Sequence, residues 1–159
     1  MIRGICSHYP DYVMIVIDAL RGLTTIGIDQ FKLALAFSVP IIIVVTKIDQ
    51  VNNDQLFNVH QEIQSLIKGS ERILIRVNNE HDMVLCSRRI TDDNIIPTFC
   101  VSSLTGEGLD LFLAFLNLLP INSSCRQWSW SQDDSSEFHI TETFVKDGGL
   151  ILSGMVLRG

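Results

Sequence analysis

Thr46-Lys47-Ile48-Asp49 places a hydroxyl, an ammonium group and a carboxylate directly after five β-branched residues, Ile41 to Val45. Open α/β sheets bind ligands at the carboxyl ends of their strands, which is where these side chains would stand. Asp49 could accept hydrogen bonds from the N1–H and the 2-amino group of guanine, whereas adenine offers neither donor in that arrangement. An unpaired buried carboxylate costs about 1–3 kcal/mol, so the segment favours guanine. The apolar stem of Lys47 can lie across the flat base.

A second polar segment, Val101 to Gly108, lies about 50 residues later, between a predicted strand and a predicted helix. In a two-loop pocket, the Ser103 N–H would point at guanine O6, Ser102 would brace the loop and Leu104 would cover the base. The glycines of the segment permit a tight turn into the helix. Each segment alone is also typical of a solvated strand end or a plain strand–helix turn. Together, in this order, they predict guanine recognition.

The remaining side chains that could hold a metal or nucleic acid form no comparable pattern. The four cysteines contain no C-x-x-C pair and the four histidines are scattered. This spacing favours reduced thiols and predicts no metal site. The net charge of −6 argues against a broad basic face for nucleic acid, although it leaves a local basic patch open.

Length and composition predict a soluble protein with one domain, or one domain and part of another. The chain has 159 residues, of which 47% are apolar. Its mean hydropathy of +0.28 comes from short runs, and none reaches the roughly 20 apolar residues that span a bilayer. The N-terminal residues lack the apolar core of a secretion signal. We therefore expect a cytoplasmic protein that does not enter a membrane.

The elements that must position the two polar segments follow from the apolar pattern. Short β-branched or apolar runs predict buried strands at Tyr12–Ala19, Ile41–Val45, Arg72–Val77 and Thr98–Ser102. Helical spacing predicts helices at Thr24–Ser38, from a cap at Asn52 or Asn53 to Gly69, and at Leu109–Leu119. The last helix is apolar nearly all round, so we expect it to be largely buried. Alternating strands and helices predict a parallel sheet.

Two stretches depart from this alternation. Residues 78–94 are polar and mixed, and we interpret them as an exposed insertion with one short strand at Met83–Cys86. Residues 121–137 are rich in Ser, Gln and Asp and predict a linker. The β-prone runs Phe138–Val145 and Leu150–Leu157 flank a Gly-Gly turn, which predicts a hairpin. The predicted domains are therefore residues 1–120, and residues 138–159 as the first strands of an all-β domain.

The two polar segments resemble the base-specificity elements of P-loop GTPases. T-K-I-D is similar to N-K-x-D, with Thr in place of Asn, and S-S-L is similar to S-A-x. Gly4–Gly22, Leu33–Asp49, Leu109–Pro120 and Phe138–Gly159 extend the resemblance to translational GTPases related to elongation factor Tu, and within them to the GTP-binding protein 1 and 2 group. The fold class implied is α/β: the C-terminal part of a three-layer GTPase domain with a mostly parallel sheet, followed by the start of a β-barrel.

The resemblance implies GTP binding with Mg²⁺ and GTP hydrolysis, together with the ribosome or RNA-processing machinery as partner. Thr46, Lys47 and Asp49 would hold the base, and Ser102 to Leu104 would complete its pocket. Thr is shorter than Asn and carries no amide, so the contacts that Asn makes in the family do not transfer to Thr46.

The residues that hold the phosphates in that family are missing from this sequence. It contains no G-x-x-x-x-G-K-[ST] and no switch II D-x-x-G, so it supplies no catalytic residue and no Mg²⁺ ligand of the family's pattern. Residues beginning at Met1 resemble the segment just after switch II, which implies a fragment whose sheet has an exposed edge. We therefore expect weak or unmeasurable GTP affinity and no hydrolysis from this chain alone.

Two readings from other functional classes compete with this one. A degenerate GTPase fold could be kept as a non-catalytic module that binds another protein through its surface. A receiver domain of the flavodoxin-like type would need acidic residues clustered at early strand ends, and Asp18 is the lone candidate. An intact Asp49 favours the guanine reading, because a purely structural remnant has no need of that carboxylate.

Overall fold

The computed structural model describes residues 10–91, 95–120, 135–146 and 148–158. They fall into two compact units, one spanning Asp11–Ile121 and one that contains the C-terminal hairpin. None of the helices in these residues is long and apolar enough to cross a bilayer.

The first unit alternates strands and helices along the chain. Its strands are β1 (Val13–Asp18), β2 (Ile41–Thr46), β3 (Ile73–Arg76) and β4 (Ile95–Cys100). Its helices are α1 (Thr25–Ala36), α2 (Asn53–Ile67), α3 (Glu80–Arg89) and α4 (Leu109–Leu118), with a short 3₁₀ helix at Ile48–Gln50. The predicted α/β class is confirmed.

All four strands run parallel, in the spatial order β1-β2-β4-β3. In β2 the residues from Ile41 to Val45 are all buried, because this strand has a neighbour on each side and packing on both faces. In β1 the exposure alternates, and Val16 is 60% exposed. β1 is an edge strand of the described sheet, because β2 is its one neighbour there, and one of its faces is only partly covered.

The core on one side of the sheet is built around phenylalanine rings. Phe99 of β4 lies 5.2 Å from Phe112 and 4.8 Å from Phe115 of α4, measured between ring centroids, and the rings are tilted. The expectation that α4 is largely buried is wrong: within α4 Phe115 alone is buried, and Leu113 is 54% exposed. A helix that lies on one sheet face buries one stripe, whatever the composition of its other side.

The prediction of an exposed insertion with a strand at Met83–Cys86 is also wrong. These residues lie in α3, whose N-cap Asn79 accepts a hydrogen bond from the Asp82 N–H at 2.9 Å. Met83 and Cys86 are three residues apart and both are buried. The polar residues around them hide this helical spacing, so the average polarity of the stretch misleads. Residues 92–94 of the predicted insertion lie outside the described part.

Helix α2 carries the segment that follows Asp49. Asn52 caps it in a reciprocal box, in which its side chain accepts from the Gln55 N–H at 2.8 Å and its own N–H donates to the Gln55 side chain at 3.0 Å. The sequence predicted either Asn52 or Asn53 as the N-cap of this helix, and in the structure the N-cap is Asn52. Val59, Ile63 and Ile67 form the buried stripe of this helix.

The second unit contains the predicted hairpin, formed by β5 (Glu137–Lys146) and β6 (Gly149–Arg158). The two strands pair antiparallel, with Phe144 opposite Ile151. The register shifts between Ile140 and Glu142, which leaves Thr141 as an extra residue in β5. The hairpin is confirmed, whereas the predicted linker lies largely outside the described residues and the β-barrel stays a prediction.

The capping box of α2 generates a stability prediction. Replacement of Asn52 by Ala should lower the free energy of unfolding by about 1 kcal/mol, because the Gln55 N–H in the first turn loses its acceptor, the Asn52 side chain. The neighbouring change Asn53→Ala is the control, since Asn53 makes no capping bond, and it should be near neutral. Urea denaturation followed by circular dichroism measures both, and equal stabilities for the two variants would contradict the assignment.

Candidate functional site

Parallel pairing brings the ends of β2 and β4 together. Val45 lies opposite Cys100, and the Val101 N–H donates to the Val45 carbonyl at 2.8 Å. The loops that follow these strands therefore leave the same edge of the sheet. The two polar segments of the sequence meet there although they are about 50 residues apart.

Asp49 and Ser102 join the two loops directly. The Ser102 hydroxyl donates to Asp49 Oδ1 at 2.5 Å. Ser102 Oγ also accepts from the N–H groups of Leu104 and Thr105, at 3.2 Å each. Ser102 is fully buried, so its hydroxyl works without competition from water. The arrangement holds one side of the Asp49 carboxylate and leaves that group exposed on the other.

The turn after Ser102 is fixed by its backbone. The Ser102 N–H donates to the Glu107 carbonyl and the Gly106 N–H donates to the Ser102 carbonyl, each at 2.9 Å. Gly108 has φ +73°, and a Cβ at this position would lie 2.1 Å from the Cys100 carbonyl oxygen. No side chain fits at residue 108, because the turn passes too close to the end of β4.

Ser103 and Leu104 lie at the tip of this loop. Leu104 is 81% exposed, and no described residue accepts a hydrogen bond from the Ser103 N–H. An exposed leucine beside an available N–H is an arrangement that can cover a flat ring and donate to its edge.

Lys47 stands in a left-handed conformation, with φ 60°, immediately before the 3₁₀ helix. That conformation costs a non-glycine residue about 1–2 kcal/mol. Its Nζ lies 2.7 Å from Asp18 Oδ2, at the end of the neighbouring strand β1. The pair fixes the direction of the lysine stem across the edge of the sheet.

Asp18 is the residue that sequence reasoning missed as part of this site. It also accepts a hydrogen bond from the Leu20 N–H at 2.9 Å. The hydrogen bond from Lys47, followed by that from Leu20, holds the pKa of the Asp18 carboxyl below its ordinary value. The sequence carried a signal for this role, since Asp18 lies near the C-terminal end of a strand that was predicted to belong to the same parallel sheet.

The Thr46 hydroxyl makes its hydrogen bond within the sheet and not with the loop after β4. Its hydroxyl donates to the Ile17 carbonyl at 3.2 Å, so it ties the end of β2 to β1. The structure thus brings Asp49 together with Ser102, and Lys47 together with Asp18, while the Thr46 hydroxyl serves the sheet. Within the described residues no group of three or more His, Cys, Asp or Glu side chains could hold a metal ion.

Comparison with known proteins assigns most of the chain to a family. Residues 1–121 match the family described as the elongation factor Tu GTP binding domain. The chain belongs to that family. Both motif loops lie within the matched residues, and the resemblance to the elongation factor Tu-like family is confirmed.

Two relatives extend the match to nearly the whole chain. GTP-binding protein 1 of Xenopus laevis is 35% identical over 159 residues, which is 98% of this chain and 24% of that protein. GTP-binding protein 2 of Homo sapiens is 29% identical over 162 residues, 99% of this chain and 27% of that protein. The chain therefore spans about a quarter of the length of these relatives.

Solved structures share the fold. Translation elongation factor SelB from Methanococcus maripaludis, in its apo form, matches with a TM-score of 0.55 at 21% identity, over 94% of this chain and 27% of that chain. Its complex with the GTP analogue GppNHp matches with a TM-score of 0.54 at 21% identity, over 99% and 30%. At this identity the likeness shows a shared fold and nothing about function.

The ion pair between Lys47 and Asp18 generates a prediction about titration. A cation that donates to a carboxylate stabilises its ionised form and lowers its pKa, so Lys47→Met should raise the pKa of Asp18 toward its ordinary value. The variant Arg21→Gln is the control and should raise this pKa less, because Arg21 acts only at a distance. Carboxyl ¹³C NMR titration measures both, and an unchanged Asp18 pKa in the Lys47 variant would refute the pairing.

Proposed function

We propose that this chain supplies the guanine-recognition half of a GTP-binding domain, in a protein that hydrolyses GTP. The observation that carries the proposal is the hydrogen bond between Ser102 and Asp49, which joins the two motif loops at one edge of the sheet. It presents a carboxylate and a loop with an available N–H to the same space. A purine base carries complementary groups along one edge.

In the proposed pocket each side chain has a separate task. Asp49 accepts from the guanine N1–H and 2-amino group, and Ser103 donates its N–H to O6. The stem of Lys47, held by Asp18, covers one face of the base, and Leu104 covers the other. Thr46 supports the pocket from the sheet through its bond to Ile17, and Ser102 supports it by bracing the loop.

These residues would bind the base, and none of them would bind the phosphates. Phosphate binding in P-loop proteins needs a glycine-rich loop with a Lys and a Ser or Thr, and no such segment occurs in the sequence. Mg²⁺ neutralises phosphate charge when it is bound in such domains, but the described residues show no group that fits it. GTP hydrolysis would therefore require further residues that bind the phosphates and Mg²⁺.

We further infer a cytoplasmic protein that works with the ribosome or the RNA-processing machinery. The support is the family, together with matched structures that are described as translation elongation factors. This inference concerns the whole protein of which such a domain is a part.

Base recognition is tested by titration with guanine nucleotides. In saturation-transfer NMR with millimolar ligand, wild type should bind GDP in preference to ADP, and Asp49→Ala should lose that preference. An asparagine at this position can donate to the 2-carbonyl of xanthine, so Asp49→Asn should shift the preference from GDP toward XDP by about tenfold or more.

The matched control for that titration is Asp54→Ala, which removes an exposed carboxylate from the first turn of α2, outside both loops. It should bind GDP like wild type. Equal signals for GDP and ADP in the wild type, or unchanged selectivity in both Asp49 variants, would sink the assignment of the base pocket.

The missing phosphate-binding loop leads to a prediction about GTP hydrolysis. The purified chain of 159 residues should show single-turnover GTP hydrolysis no faster than the buffer, with or without Mg²⁺, because it holds neither the phosphates nor an attacking water. Phosphate release is followed with radiolabelled GTP, and heat-denatured protein is the control for contaminating activity. Hydrolysis above that control would show that the chain carries a phosphate site of its own.

A further inference from the structure

The turn after β1, from Ala19 to Leu23, runs along the same edge of the sheet as the proposed base pocket. It begins directly after Asp18, the partner of Lys47, and ends before Thr24, the N-cap of α1. Each of its five backbone N–H groups donates a hydrogen bond to another described residue. A turn whose donors are all paired has a defined conformation, so the groups that hold it also fix the position of Asp18.

Four of these five hydrogen bonds tie the turn to the ends of β1 and β2. The Ala19 N–H donates to the Thr46 carbonyl at 3.0 Å. The Leu20 N–H donates to Asp18 Oδ1 at 2.9 Å, and the next two N–H groups donate to the Asp18 carbonyl at 3.1 and 2.9 Å. Asp18 therefore accepts from the turn through both its side chain and its backbone.

The fifth hydrogen bond ties the turn to a different element. The Leu23 N–H donates to Oε2 of Glu62 at 3.2 Å, and Glu62 lies in the third turn of α2. Gly22 shows the same contact independently. Its φ is +64°, and a Cβ at this position would lie 2.9 Å from the same Oε2. The turn thus lies so close to the Glu62 carboxylate that a side chain at residue 22 would displace it.

These contacts form a closed path around the loop that follows β2. Helix α2 begins after its cap Asn52, three residues beyond Asp49, so the helix that carries Glu62 continues directly from this loop. Lys47 in the loop pairs with Asp18, which lies at the other end of the turn that Glu62 holds. In a closed path, one contact cannot move without the others, which is how supporting residues fix the geometry of a site.

We propose that Glu62 is a positioning residue of the guanine pocket, and that it acts on Lys47 through the turn and Asp18. The Glu62 carboxylate holds the turn, the turn presents Asp18, and Asp18 directs the stem of Lys47 across the base. This inference rests on the proposed function of the pocket. The link from Glu62 to Asp18, however, can be measured without any nucleotide.

Three substitutions of Glu62 separate the contact from the charge. Glu62→Gln removes the charge and keeps an oxygen that can accept from the Leu23 N–H. Glu62→Asp keeps the charge, but its side chain is one methylene shorter and does not reach that N–H. Glu62→Ala removes both, and α2 should still form because alanine favours helix. Glu71→Ala is the matched control, since it removes an exposed carboxylate just before β3, outside the closed path.

The first measurement is a carboxyl ¹³C NMR titration of Asp18 in the 159-residue chain without nucleotide. Glu62→Ala and Glu62→Asp should raise the pKa of Asp18 toward its ordinary value, because the hydrogen bonds from Lys47 and Leu20 loosen. Loss of a nearby negative charge would by itself lower that pKa, so the direction of the change identifies its cause. Glu62→Gln and Glu71→Ala should leave the pKa close to that of wild type.

The second measurement is the preference for GDP over ADP, followed by saturation-transfer NMR. Glu62→Ala and Glu62→Asp should reduce this preference by about threefold, which is the scale of one exposed hydrogen bond. Glu62→Gln and the Glu71→Ala control should keep the preference of wild type. Thermal melts establish that each variant is folded, and Glu62→Asp carries the test if Glu62→Ala does not fold.

Two results of the titration would overturn the proposal. One is an unchanged or lowered pKa of Asp18 in the folded Ala and Asp variants. The other is an equal change in Glu62→Gln and Glu62→Ala, which would show that the charge acts and the contact does not. If wild type prefers GDP and the Ala and Asp variants keep that preference in full, the role of Glu62 in the pocket is refuted. If wild type shows no preference for GDP, the base pocket itself is refuted, and the Asp18 titration still decides whether Glu62 positions Asp18.

Discussion

The parallel pairing of β2 with β4 is the constraint on which the functional part of this molecule depends. Because parallel strands end at the same edge, pairing Val45 with Cys100 brings together two loops that are far apart in the sequence. The Ser102–Asp49 hydrogen bond follows from that pairing, since neither loop could hold the other without it. The buried serine hydroxyl also serves two N–H groups of its own loop, which makes one oxygen the common anchor of the site.

The strands on either side of this central pair extend the same edge in two directions. On one side β1 ends at Asp18, whose carboxylate pairs with Lys47 and so joins a third strand end to the two loops. On the other side β3 ends at Arg76, which lies opposite Thr98 of β4. The carboxyl ends of the four parallel strands of this unit thus lie along one edge of the sheet.

Errors in the sequence-based predictions of the fold came from judging segments by their composition. Residues 78–94 are polar on average, yet Met83 and Cys86 at helical spacing bury one side of α3 against the sheet. Helix α4 is apolar nearly all round, yet Leu113 faces solvent because a helix on a sheet has only one packed side. In both cases burial depends on which residues of the helix face the neighbouring sheet. The fraction of apolar residues in a segment does not show where that sheet lies.

By itself the sequence determined the strands, three of the four helices, the hairpin and the family to which the chain belongs. These depend on short-range order: β-branched runs, capping residues, and a carboxylate placed just after a strand. Only the tertiary structure decided which strand ends are neighbours, that Asp18 pairs with Lys47 across 29 residues, and that Thr46 bonds to β1. Contacts of this kind depend on the strand order of the sheet. That order is set by hydrogen bonds between segments far apart in the sequence, so no local pattern predicts it.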